Sequence, residues 1–296
     1  MSCVLDIAGI ERVRDLERSL TGVLSPTLFD GPEHQAFELP GVAPTVLALH
    51  GFMGTPSELR ALARFLAALG AAVSAPLLPG FGTGVSQLAQ VTARDWLMCA
   101  LKRWQELRRC SSGEAILLGF SMGAAIALQL AVLAPPDRLV LLAPFTRLLP
   151  GDKRVPLLGV ARRVLRDFRP FANANFEDPA IRKVFHAMHP ALNLDDHSVR
   201  VALRELRLPL SALDELRKTG QRALAVARDV CCPVLVVQGS DDQTVPVWTT
   251  RQLVQRLGGR VTLFEVPGDH QLVRPDHPSA ERTFRLVGQF VTGELA

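Results

Sequence analysis

Apolar residues along this chain fall into two rhythms. Short, nearly uniform apolar runs occupy Thr45–Leu49, Ala72–Ala75, Ala115–Leu118, Leu139–Ala143, Val234–Val237 and Val261–Val266. Uniformity, rather than alternation, marks strands covered on both faces, as in a parallel sheet. Between the runs lie longer segments of helical period at Pro56–Leu69, Thr92–Arg109, Met122–Leu133, Val247–Leu257 and Ser279–Thr292. Pro56 suits a first helical turn and Ser279 an N-cap. Such alternation predicts an α/β fold, a mostly parallel central sheet flanked by helices.

The alternation lapses once. From Thr146 to Arg228 the pattern is arginine-rich and helical, with no strand; Leu157, Val160, Ala161, Val164, Leu165 and Phe168 share a face that Arg162, Arg163 and Arg166 avoid. A block of roughly 80 residues is too long for a plain loop. The expectation is an inserted helical cap over 146–228, in a core made of 33–145 and 229–296. A second independent domain fits less well, because the core strands resume afterwards. Residues 1–32 are expected to be an N-terminal helical extension, with Ile10, Val13, Leu16 and Leu20 spaced to share one face. Packing on the body is its plain expectation, with membrane-surface binding or dimerisation as the alternatives.

Composition changes this picture little. With 48% hydrophobic and 21% charged residues in 296, the chain has ordinary globular composition. The net charge of +4 comes from arginines scattered among acids, so no nucleic-acid partner is expected. Asp6, Glu11, Arg12 and Arg14 come too early for a signal peptide. Five cysteines (Cys3, Cys99, Cys110, Cys231, Cys232) are odd in number and lack zinc-type spacing. They read as reduced thiols in a cytoplasm, with the Cys231-Cys232 pair structural.

One run carries no charge from Ala115 through Pro136, long enough to span a membrane. Yet Gly119, Ser121 and Gly123 recur in it at spacing two, followed by Ala124 and Ala125, which a span does not need. No transmembrane segment is therefore expected. The pattern is G-x-S-x-G directly after a strand and directly before a helix, the context of a strained nucleophile turn whose flanking positions exclude side chains.

A serine needs a base and an acid to orient that base, and in this strand–turn–helix context the chain order is serine, acid, histidine. After Val234–Val237 comes QGSDDQTVP, which puts Asp241 and Asp242 at the carboxyl end of a core strand; after Val261–Val266, PGDHQLV puts His270 at the same edge. His277 lies farther from its strand, and His186, His189 and His197 fall in the cap. The loop ALHGFMGTP after Thr45–Leu49 turns backbone N–H groups to the same edge. Phe52 N–H and Met122 N–H are the candidate oxyanion hole, while His50 reads as structural.

Taken in order, LALHGFMGTPSELRALARFLAALG, APLLPGFGTG, LLGFSMGAAIAL, PVLVVQGSDDQTVP and PGDHQLV resemble the bacterial carboxylesterase and monoacylglycerol-lipase branch of the α/β-hydrolases (serine aminopeptidase S33-like). The resemblance covers about residues 33–145 and 230–296. It implies the α/β-hydrolase fold, Phe52 as an oxyanion donor, and Asp242 as the acid, with Asp241 left to cap or solvate its loop. Phe81 departs from the pattern, since relatives often carry histidine there. The chain also has no tyrosine to assist an oxyanion.

The reading is a serine hydrolase of carboxylic esters with Ser121, His270 and Asp242 as triad, no cofactor and no metal. Its partner is a small-molecule ester, and it acts as a monomer or homodimer. Phe168, Phe171, Phe176, Phe185 and Met188 are candidates to line an acyl pocket for short or medium chains or monoacylglycerols; packing within the cap is the commoner fate of such residues. Thioesterase, lactonase, aminopeptidase, carbon–carbon bond hydrolase and cofactor-free haloperoxidase chemistries share the fold. A non-catalytic binding protein would have no use for a complete triad.

Overall fold

The computed structural model describes residues 31–111, 113–148, 167–169, 171–179, 181–182, 185, 193–205 and 207–295. The N-terminal helical face, the arginine-bearing start of the cap, His186, Met188 and His189 lie outside them.

Seven strands form one sheet: β1 (Phe37–Leu39), β2 (Thr45–Leu49), β3 (Ala72–Ala75), β4 (Ala115–Phe120), β5 (Arg138–Leu142), β8 (Val234–Gly239) and β9 (Val261–Val266), in the order β1-β3-β2-β4-β5-β8-β9. Only β1 is antiparallel to its neighbour. The uniform apolarity of the central strands has a simple cause. Leu47, Leu49, Leu117, Leu139, Leu141, Val234 and Val236 point to one face, covered by α2 (Ala93–Cys110) with Trp96 and Trp104, by α3 (Met122–Leu133) and by α5 (Leu210–Val226). Val46, Ala48, Ile116, Leu118, Val140, Leu142, Leu235 and Val237 point to the other, covered by α1 (Arg60–Ala68) and α7 (Ala280–Thr292). Each alternate side chain meets a helix, so both sets must be apolar. The edge strand β9 has lost that cover and is only half-buried.

Helix ends follow local chemistry. Thr92 and Asp95 close a capping box on α2, and Thr55 receives the Ser57 N–H ahead of a 3₁₀ turn, Pro56–Leu59, that leads into α1. Ser279 precedes α7, but its hydroxyl donates to the Pro267 carbonyl instead of capping the helix. The helix expected from Val247 ends early, as α6 (Val247–Val254). Within the segment expected to be free of strands, β6 (Asp167–Phe168) and β7 (Leu208–Pro209) form a two-residue antiparallel ladder near α4 (His197–Glu205). Two residues are too few to show a period. The inner face of α5 buries Ala212, Leu216 and Ala223 in the core. It docks there through Gln129 Nε2, which donates to the Thr219 carbonyl (3.2 Å), and through the Ala93 N–H, which donates to Glu215 (3.0 Å).

Candidate active site

β3 lies on one side of β2 and β4 on the other. Loops leaving adjacent strands diverge at such a switch point and open a crevice at the carboxyl edge of the sheet. Two parts of the site start there in register, with Leu49 paired to Gly119.

Ser121 joins β4 to α3 with φ 54° and ψ −116°, a conformation that side chains rarely adopt and that surrounding structure must impose. Its N–H donates to the Leu142 carbonyl (2.9 Å), and its own carbonyl accepts the N–H groups of Ala124 (3.1 Å) and Phe145 (3.2 Å). A Cβ on Gly119 would lie 2.4 Å from the Ala124 nitrogen, and one on Gly123 2.0 Å from the Leu49 oxygen. Both glycines of the motif are therefore demanded by backbone contact. Met122 opens α3, so its N–H has no carbonyl within the helix to bond and carries the positive end of the helix dipole.

The loop after β2 is a tight turn in which the Gly54 N–H donates to the Gly51 carbonyl (3.3 Å), with Met53 at φ 61°. That closure uses the first carbonyl and the last N–H of the turn and leaves the Phe52 N–H out of it. The turn is held from behind. Gly51 N–H donates to Glu58 Oε2 (2.9 Å). Leu78 N–H donates to His50 Nε2 (3.0 Å), so His50 Nδ1 carries the proton and donates to the Gly51 carbonyl (2.9 Å). Burial pushes the His50 imidazole down to about 4, keeping it neutral and structural. Burial pushes the Glu58 carboxyl the other way, up to about 7, against the opposing pull of the Gly51 N–H and of His270. Phe81, in the place where the resemblance expects histidine, is buried edge-on to His50 and Phe52 and stacked on Trp96 at 5.7 Å.

His270 Nε2 lies 2.9 Å from Ser121 Oγ, and its Nδ1 2.7 Å from Asp242 Oδ2. A carboxylate only accepts, so Nδ1 carries the proton and Nε2 turns a lone pair to the serine. Asp242 is buried, and its Oδ1 accepts the N–H groups of Thr244 (2.8 Å) and Val245 (2.7 Å). Asp241 is exposed and instead ties the loops after β8 and β9 together, accepting from Ser240 Oγ (3.2 Å) and Gly268 N–H (3.3 Å). His277 is buried elsewhere, its Nδ1 receiving the Ser279 N–H and its Nε2 3.5 Å from Asp269, and His197 is exposed at the start of α4. Phe171, Phe176 and Phe185 pack on one another in a separate cap cluster with Leu194 and Leu203. The side chain of Phe168 lies outside the described set.

Sequence reasoning passed over two side chains. Glu58 sits seven residues past Gly51, a lone acid at the start of a helix. Gln238 is a polar residue inside an otherwise apolar strand, and its Nε2 donates to Asp242 Oδ2 (2.9 Å). That buried amide was the better signal.

The profile of the serine aminopeptidase, S33 family matches residues 41–273. The chain belongs to that family. It is 23% identical over 207 residues to the thermostable monoacylglycerol lipase of Bacillus sp. (strain H-257), covering 68% of this chain and 71% of that one. Among solved structures, it resembles one from the metagenome-derived lipolytic enzymes LipS and LipT (TM-score 0.68, 20% identity, 88% of this chain and 98% of that one). It also resembles the monoacylglycerol lipase of Paleococcus ferrophilus (TM-score 0.66, 16% identity, 87% and 98%). The fold is that of the α/β-hydrolases.

Proposed function

We propose that this protein hydrolyses carboxylic esters through an acyl-enzyme on Ser121. Ser121 Oγ attacks the ester carbonyl carbon while His270 Nε2 takes its proton. The carbonyl oxygen becomes an oxyanion held by the Phe52 and Met122 N–H groups, and the imidazolium then protonates the departing alkoxide. Water repeats the sequence: it gives one proton to His270 and attacks the acyl carbon, and Ser121 leaves with the proton returned. Atoms and charges balance with no further group, and Asp242 stays ionised throughout, stabilising the imidazolium.

The observation that carries this reading is the continuous relay from Ser121 Oγ to His270 (2.9 Å) to Asp242 (2.7 Å) beside a strained serine. The lipolytic relatives support an ester over an amide. The monoacylglycerol lipases among them support a substrate of the monoacylglycerol class. The free thiols of Cys99, Cys110, Cys231 and Cys232 fit a reducing, cytoplasmic setting. No helix among the described residues is long and apolar enough to cross a membrane. The protein acts as a monomer or homodimer.

The test is a fluorophosphonate label mapped by mass spectrometry, together with a p-nitrophenyl ester series, monoacylglycerols and aminoacyl p-nitroanilides. Labelling at Ser121 with ester turnover supports the reading. Turnover of the anilides alone, or label elsewhere, overturns it.

A further inference from the structure

The strand that delivers Asp242 carries a buried amide with every contact accounted for. Gln238 Nε2 lies within hydrogen-bond distance of Asp242 Oδ2 (2.9 Å), the Val245 carbonyl (3.1 Å) and the Gly239 carbonyl (3.2 Å), which share its two hydrogens. On its other side Thr250 Oγ1 donates to Gln238 Oε1 (2.6 Å). Gln238 and Thr250 are fully buried, and Asp242 nearly so. The three neighbours of Nε2 are all oxygens that only accept, and the one neighbour of Oε1 is a hydroxyl free to donate. The amide therefore has one orientation, and Thr250 locks it.

We infer that Gln238, locked by Thr250 of α6, is the positioning residue for the acid of the triad. Asp242 offers two oxygens to four donors. The backbone of Thr244 and Val245 holds Oδ1, and Gln238 and His270 share Oδ2. Three donors belong to the body of the protein and one to the moving proton relay. Gln238 is the only one of the three on the oxygen that faces His270, so it sets where that oxygen sits. It is also a neutral donor. It stabilises the carboxylate without competing with the imidazolium that forms during turnover, as a lysine or arginine would.

This inference rests on the ester-hydrolase reading, and the experiment separates the two. The variants are Gln238→Leu (donor removed, similar volume), Thr250→Val (lock removed), Thr250→Ser (lock kept) and Asp242→Asn, alone and with Gln238→Leu. Each is assayed for kcat and KM on p-nitrophenyl butyrate and normalised to folded protein by circular dichroism. A hydrogen bond to a charged group converts to about tenfold to a hundredfold, so Gln238→Leu should lose that in kcat with KM little changed. Thr250→Val should lose several-fold, and Thr250→Ser should behave as wild type. In the Asp242→Asn background, Gln238→Leu should cost nothing more, because Gln238 acts only through Asp242. If Gln238→Leu fails to fold, Thr250→Val and its serine rescue decide alone. A wild-type kcat in folded Gln238→Leu, or an equal loss with and without Asp242, overturns the inference. An active Asp242→Asn overturns the triad assignment, and a wild type without p-nitrophenyl ester turnover overturns the ester-hydrolase reading beneath it.

Discussion

Replacing Asp242 by asparagine probes the relay at its most constrained point. Oδ1 of Asp242 accepts from Thr244 N–H (2.8 Å) and Val245 N–H (2.7 Å), and Oδ2 accepts from Gln238 Nε2 (2.9 Å) and His270 Nδ1 (2.7 Å). All four partners are donors. Asparagine brings one oxygen and one NH₂, so either orientation sets hydrogens against two donors. Keeping oxygen toward the backbone pair leaves NH₂ facing His270. The imidazole relieves that conflict by moving its proton to Nε2, which then points a hydrogen, not a lone pair, at Ser121 Oγ. The serine loses its base while the geometry survives. The expected loss is about 10⁴ in kcat, or about 5 kcal/mol of transition-state stabilisation. The matched control is Asp241→Asn. Asp241 makes longer contacts at 3.2 and 3.3 Å from an exposed position, and its loss should cost no more than about threefold, as surface changes usually do. The assay is p-nitrophenyl butyrate hydrolysis, with a fluorophosphonate titration counting competent sites and circular dichroism confirming the fold. An Asp242→Asn variant within tenfold of wild type, or an Asp241→Asn variant that is the worse of the two, would refute the tautomer argument.

Three further outcomes are expected. Ser121→Ala and His270→Ala should each remove about 10⁴–10⁶ of turnover, and the double variant should be little worse than either; multiplying losses in steady-state kinetics would show that the two residues act separately. Gly123→Ala places a Cβ 2.0 Å from the Leu49 carbonyl oxygen, with no flexible side chain to yield. It should destabilise by about 3 kcal/mol or more, or prevent folding, and a wild-type melting curve would contradict the close approach of α3 to β2. Glu58 has its carboxyl raised by burial from an ordinary 4.5 to about 7. The folded state thus holds that proton more tightly than the unfolded chain, so this contribution is full below about pH 4.5 and is lost as pH rises through 7. Glu58→Gln keeps an acceptor for the Gly51 N–H and removes the ionisation. Urea unfolding should show the variant about 1–2 kcal/mol more stable than wild type at pH 8, after allowance for partial solvation of the carboxyl, with no gain at pH 4. An equal difference at both values would assign the effect to packing instead of charge.

Much of the architecture was legible in short stretches because its causes are local. Five of the six apolar runs are strands whose two faces are both covered, and that requirement is written residue by residue; Val261–Val266 keeps the pattern at the half-buried sheet edge. G-x-S-x-G records a steric demand, since Gly119 and Gly123 touch backbone within a few residues or across one paired strand. His50 could be set aside as structural for a similar reason, as its bond to Gly51 is its own neighbour's.

Tertiary structure decided what depends on pairing between distant segments. A three-residue edge strand such as β1 has no room for a period, so only its partner β3 defines it. The helical pattern of α5 is the same for a cap helix and for one packed on the body. Its inner face, with Ala212, Leu216 and Ala223, is buried in the core, and Gln129 meets Thr219 there across 90 residues. The chain names Ser121, Asp242 and His270 as candidates because each follows a core strand, but the lengths of the hydrogen bonds joining them come from the sheet order β4-β5-β8-β9. Glu58 and Gln238 are the sharpest case. A single acid or amide has no pattern of its own, and what each does depends on which backbone or carboxylate the folded chain presses against it. Periodicity reports what faces a residue on average; a buried hydrogen bond depends on one particular neighbour, and only the assembled fold supplies that neighbour.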